Sequence, residues 1–168
     1  MIDATPRRRP PVFGVDTMIL IYHFEEHERF GPAATELFQA TEQGRCRLVV
    51  SILARLETLV APKRHGREDL CRRYREMFEG FPNLEVVDVD AQVVEIASDL
   101  RATHGLRTPD AIHLATAVDR RTDAFVTEDS RHFPNEVEGV PVLSLHDTLA
   151  RFGELTPETA GDTHEAEG

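Results

Sequence analysis

Short apolar runs of strand length alternate with longer stretches of helical periodicity along this chain. That alternation limits the possible folds more than any other feature. PVFGVD (11–16), RCRLVVS (45–51), LEVVDVD (84–90), AFVTED (124–129) and VPVLSL (140–145) read as strands. Between them, 17–26, 30–44, 52–64, 66–81, 91–105 and 108–121 read as helices, and 146–152 closes as a short one. Strands that alternate with helices form a parallel sheet covered on both faces, an α/β architecture. In such sheets ligands sit beyond the carboxyl ends of the strands, where strand order reverses.

Local signals set the expected boundaries. Pro32 falls in the first turn of the second helix and Gly44 stops it; the third helix ends near Pro62. Leu70, Tyr74, Met77, Phe78 and Phe81 form one apolar stripe on the fourth. Asp90 caps the fifth helix and Gly105 stops it, while Thr108 caps the sixth with Pro109 at its first position. The 168 residues suit one domain with tails: a disordered basic lead-in over 1–10, the domain over 11–152, and an acidic disordered tail over 153–168.

Four acids stand at the joints of this pattern. Asp16 ends the first strand run and Asp129 the fourth; Glu57 lies in SILARLETLV; Asp110 opens the helical TPDAIHLATAV. A carboxylate beside apolar residues is costly unless a cation or hydrogen bonds compensate it. Brought together, the four make a hard-oxygen pocket for Mg2+ or Mn2+. Each has an ordinary alternative: Asp16 as an N-cap, Asp110 as a complement to the helix dipole, Asp129 as a turn residue, Glu57 as a snorkelling side chain. Glu57 resists its alternative best, because Leu53, Ala54, Val60 and Ala61 surround it at helical spacing. Glu128 points away from Asp129 by strand alternation, and Asp88, Asp123 and Asp147 read as surface or capping acids. His113 reads as a packed or hydrogen-bonded histidine, and His132 lies in a loop.

The net charge of −11 argues against a nucleic-acid partner until its distribution is considered. Without the five acids of the tail it is −6, and without the four candidate ligands −2. KRHGREDLCRRYR (63–75) carries a local excess of cations, readable as an RNA contact or as the solvated face of an amphipathic helix. Cys46 and Cys71 have neither CxxC nor zinc-finger spacing and read as buried thiols. No apolar run is long enough for a membrane span, and the start lacks a secretory h-region, so a cytoplasmic location is expected.

DTMILIY at Asp16, SILARLETL around Glu57, TPDAIHLATAV at Asp110 and VTEDSRHF at Asp129 together resemble the PIN domain, and most of all the VapC-type toxins of bacterial toxin–antitoxin pairs. The likeness runs from Val12 to Phe152. It implies a three-layer α/β/α sandwich whose five-stranded parallel sheet has the order 3-2-1-4-5, with the first and fourth strands side by side. It implies a metal-dependent endoribonuclease that cleaves RNA by metal-activated water. Asp16, Asp110 and Asp129 would bind one or two Mg2+ (or Mn2+) ions, and Glu57 would complete the shell. The implied partners are a VapB-like antitoxin whose tail fills the acidic site, an RNA substrate and a second copy of the chain, with no membrane. Tyr22, Phe24, Phe30 and Phe38 could serve a partner surface, although ordinary core packing is the stronger reading. Met18 and Glu128 stand where the family commonly has asparagine, and Thr17 and Thr127 match its small hydroxyl positions.

Three rivals fail on missing residues. A receiver domain needs a lysine near the fifth strand, but the only lysine is Lys63. A haloacid-type phosphatase needs DxD where this chain has Asp16-Thr17-Met18, and no GxxxxGK[ST] loop exists. The alternative left is a catalytically silent PIN-like module that binds RNA or protein.

Overall fold

β1 (Val12–Val15) runs through the middle of the sheet with both faces covered. In this computed structural model, which describes residues 9–155, a sheet of six strands surrounds it. The chain continues through α1 (Thr17–Phe24) and α2 (Gly31–Glu42) to β2 (Arg47–Ser51). It then passes α3 (Leu53–Arg64) and α4 (Glu68–Gly80) to β3 (Leu84–Val87). α5 (Ala91–His104) and α6 (Thr108–Asp119) lead to β4 (Ala124–Val126). A 3-10 turn (Ser130–His132), β5 (Glu136–Val137), β6 (Val140–Leu143) and α7 (Leu145–Leu155) complete it.

The order is β3-β2-β1-β4-β6-β5. All neighbours are parallel except β5 and β6. The expected parallel order therefore holds with VPVL of β6 as its fifth strand. The sixth, β5, is a correction: two residues fold back on β6 through Glu138 and Gly139, both at positive φ. A strand of two residues has too little periodicity to be read from sequence.

The strands alternate strictly. Phe13, Val15, Ala124 and Val126 pack into one core with α1, α2 and α7. Phe125 faces the other core, with Ala111, Leu114 and Ala115 of α6 and Val93 and Ala97 of α5. Gly14 has a steric role here. A Cβ on it would lie 2.5 Å from the Cβ of Ala117, so only glycine lets α6 settle directly on β1.

Helix signals held with small shifts. Asp90 accepts from the Val93 amide at 2.9 Å, and Gly105 (φ 66°) ends α5 in the left-handed conformation. α6 starts one residue earlier than expected, with Arg107 rather than Thr108 at the cap. α3 ends at Arg64, two residues beyond Pro62 and at the expected end of the 52–64 segment. A proline in the last turn costs one backbone bond, and buried Pro62 is retained by packing. α7 continues through Leu155, past the expected boundary at 152. Of the segments expected to be disordered, 1–10 and 153–168, residues 1–8 and 156–168 lie outside the described residues, while Arg9 pairs with Asp123 at 3.1 Å. No helix among the described residues is long and apolar enough to cross a membrane.

Candidate active site

Val15 pairs with Val126, so the chain leaves β1 and β4 side by side, with Asp16 following one and Thr127 the other. The Asp16 amide closes the seam on the Val126 carbonyl at 3.1 Å. Asp16 holds the N-cap position of α1, yet its side chain makes no capping bond. Its Oδ2 instead accepts from the Thr127 hydroxyl at 2.9 Å, and the residue is only 8% exposed. The capping alternative therefore fails. Burial pushes the Asp16 carboxyl above the usual aspartate range, opposed by His113 and the Thr127 bond and aided by Asp110 and Glu57.

Glu57 reaches the same place from α3, though not for the expected reason. Of its four apolar neighbours only Ala54 is buried; Leu53 is half-buried, and Val60 and Ala61 are exposed. Two bonds hold it. Thr17 donates to Oε2 at 2.5 Å, and His113 Nε2 lies 2.6 Å from the same oxygen and 3.0 Å from Thr17 Oγ1. The proton on Nε2 is assigned from the carboxylate it faces. Burial works to raise Glu57, but the His113 and Thr17 bonds outweigh it and hold the carboxyl below its ordinary range. His113 Nδ1 is the one buried side-chain polar atom without a hydrogen-bond partner among the described residues.

Asp110 lies in the first turn of α6, where the helix dipole complements negative charge. Its Oδ2 accepts from Arg107 Nε at 2.8 Å. Asp129 stands at the N-cap position of the 3-10 turn without a side-chain capping bond; its amide donates to Thr127 Oγ1 at 3.2 Å, and its Oδ1 meets His132 Nδ1 at 2.8 Å. Glu128 turns away as expected and accepts the Leu145 amide at 2.6 Å, anchoring the start of α7. The Arg107–Asp110 and Asp129–His132 pairs were missed from sequence, although both have the i, i+3 spacing that brings side chains together in a helical turn.

The donor chemistry suits a hard divalent cation: the acids offer only oxygen, and Asp16 is buried in the field of two like charges. The ligand set is not assembled, however. Among the described residues no three Asp, Glu, His or Cys side chains stand close enough together to hold a metal. Each of the four acids has one oxygen engaged by Thr127, Thr17 with His113, Arg107 or His132.

The family model of the PIN domain matches residues 14–135. The chain belongs to the PIN domain family. Solved structures agree in fold. A toxin–antitoxin complex from Klebsiella pneumoniae is similar at 25% identity and TM-score 0.60, over 80% of this chain and 97% of that one. VapBC2 from Rickettsia felis, bound to a DNA fragment from their promoter, gives 12% identity and TM-score 0.62 over 79% and 98%. A sarcin-ricin-loop-cleaving VapC toxin from Mycobacterium tuberculosis gives 16% and 0.61 over 77% and 98%. No curated protein matches the chain by sequence.

Other expected features of this PIN domain resolve as follows. Cys46 and Cys71 are buried free thiols. Phe38 is buried and Tyr22, Phe24 and Phe30 pack half-buried against the same core, so the core reading of these aromatics is correct. Among the described residues the exposed large apolar side chains are instead Met18, Leu56, Val60 and Val94. Leu56 and Val60 line an open groove of about 410 Å³ along α3 with Ile52, Leu59, Arg55 and Lys63. In the 63–75 segment Arg67 pairs with Asp69, Arg75 with Glu68, and Arg73 lies over the Phe24 ring.

Proposed function

We propose that this PIN domain is the toxin of a toxin–antitoxin pair and acts as a magnesium-dependent endoribonuclease. The observation that carries the reading is Asp16: a buried carboxyl at the β1–β4 seam, raised by burial and by Asp110 and Glu57. Repelling acids in a half-enclosed place favour capture of a divalent cation. Asp16, Asp110 and Asp129 would hold magnesium (manganese as substitute), with Glu57 completing the set. When bound, the ion would neutralise charge on the scissile phosphate and make a water acidic enough to attack at neutral pH. Thr127 fixes one oxygen of Asp16, and Thr17 with His113 fixes one oxygen of Glu57, so both acids keep their orientation without substrate.

The Klebsiella pneumoniae complex supports a toxin role, the Mycobacterium tuberculosis toxin supports toxin and nuclease roles, and the VapBC complexes support an antitoxin partner. A homodimer is part of the same reading, and the exposed Leu56 and Val60 strip supports a surface for a partner chain. The test is RNA cleavage by purified protein with magnesium, with EDTA, and in Asp16→Asn and Asp110→Asn variants. Cleavage is expected with magnesium and its loss is expected with EDTA, in Asp16→Asn and in Asp110→Asn; wild-type cleavage in any of those last three refutes the reading.

One observation favours a second reading: the absence, among the described residues, of a preassembled three-ligand cluster. On that reading the chain is a catalytically silent module that binds RNA or protein. It predicts no manganese binding by calorimetry and no cleavage under any condition.

A further inference from the structure

The four acids of the site are not held alike. Asp16 is tied to Thr127 and Glu57 to Thr17 and His113, donors that are all buried. Asp110 is tied to Arg107, whose side chain is 74% exposed while that of Asp110 is 15% exposed. Its restraint therefore comes from the solvent side, on a long side chain that loses rotamer freedom while it stays in place. Among the described ion pairs, Arg107 is the only arginine or lysine bonded to any of the four acids. Its charge is felt beyond Asp110: the Asp110 bond and charge, then Asp129 and Asp16, all stabilise the guanidinium.

We propose that Arg107 is the resident counter-ion of the acidic site, competing with a divalent cation for Asp110 and swinging outward when the cation binds. This rests on the metal-dependent reading above and adds a residue to it. It gives Asp110 a permanently charged partner, whereas the hydroxyl and imidazole groups that hold the other three acids carry no fixed charge. A guanidinium and a divalent ion need the same carboxylate charge, and Asp110 Oδ2 cannot serve both at full strength. Cap geometry does not fix Arg107, because its side chain makes no capping bond and its backbone (φ −66°, ψ 153°) would suit many residues.

The experiment is calorimetric titration of the full chain with manganese chloride alone, without RNA. The proteins are wild type, Arg107→Gln, Arg107→Lys, Asp110→Asn and the Arg107→Gln/Asp110→Asn double variant, with folding checked by circular dichroism. Arg107→Gln is expected to tighten manganese binding on the order of 3-fold, the scale of one exposed ion pair. Arg107→Lys is expected to lie between it and wild type, and the gain is expected to vanish in the double variant. Manganese affinity in Arg107→Gln equal to or below wild type, with Asp110→Asn still weakened, overturns the counter-ion and leaves the metal reading standing. No manganese binding by wild type or Arg107→Gln overturns both.

Discussion

The Thr127 hydroxyl donates to Asp16 Oδ2 at 2.9 Å across the seam between two adjacent parallel strands. The bond adds to the Asp16 amide–Val126 carbonyl bond across the same seam, and the Thr127 hydroxyl also accepts the Asp129 amide and so orders the loop after β4. It does not compensate Asp16 fully. Burial and the nearby Asp110 and Glu57 still leave the charged form of Asp16 disfavoured relative to the unfolded chain.

Asp16→Asn is therefore expected to abolish cleavage and raise Tm at neutral pH. A carboxyl raised in the native state destabilises the charged protein. The penalty starts as pH climbs past 3.8, its value in the unfolded chain, and is complete above the raised native value. Removing the charge removes the penalty, while the amide oxygen can still accept from Thr127. Thermal melts from pH 3 to 8 check this: the gain of the variant over wild type grows with pH, and a variant less stable at pH 7 contradicts it.

Glu57→Gln is expected to behave in the opposite sense. A carboxyl held low in the native state adds stability that is present above the unfolded value of 4.5 and lost as pH falls through the lower native value. Replacing the anion weakens the bonds from Thr17 and His113 that lock α3 onto the start of α1 and onto α6. Melts at pH 7 are expected to show a lower Tm than wild type, and the deficit is expected to shrink in acid. The paired signs separate two acids that look alike in sequence.

Gly14→Ala tests how the sheet positions the site. The new methyl would meet Ala117 Cβ at 2.5 Å, so α6 has to move away from β1, taking Asp110 and His113 with it. The expected cost is about 1–3 kcal/mol, the usual range for overpacking a core. Urea unfolding with an unchanged m-value measures it. Ala117→Gly in the same chain is expected to restore part of the loss, and no rescue would place the strain elsewhere.

Much of this was legible in the residues themselves. Strand and helix alternation, the Asp90 and Gly105 caps and the α4 stripe are local, and local chemistry fixes them. The placement of Asp16 and Asp110 followed because strand ends and helix starts meet at one edge of a parallel sheet. The apolar spacing around Glu57 does not account for its place: Val60 and Ala61 are exposed, and its carboxylate is held by Thr17 and His113, 40 and 56 residues away. No periodicity in a single segment encodes such bonds. The β5–β6 hairpin is illegible for the converse reason, being too short to carry a pattern, whereas the i, i+3 spacing of Arg107 and Asp110 is present in the sequence.

Metal removal gives the last expectation. A ligand that binds only the native state stabilises it by about 2.7 kcal/mol at one hundred times its Kd. Saturating magnesium or manganese is therefore expected to raise the Tm of wild type, and EDTA to return it to the metal-free value. Asp16→Asn is expected to start higher and not respond, because its gain comes from the lost charge and not from a bound ion. The two curves would converge as metal is added to wild type. A parallel rise in both proteins would mean that the ion binds elsewhere, and Asp16 would lose its place in the proposed ligand set.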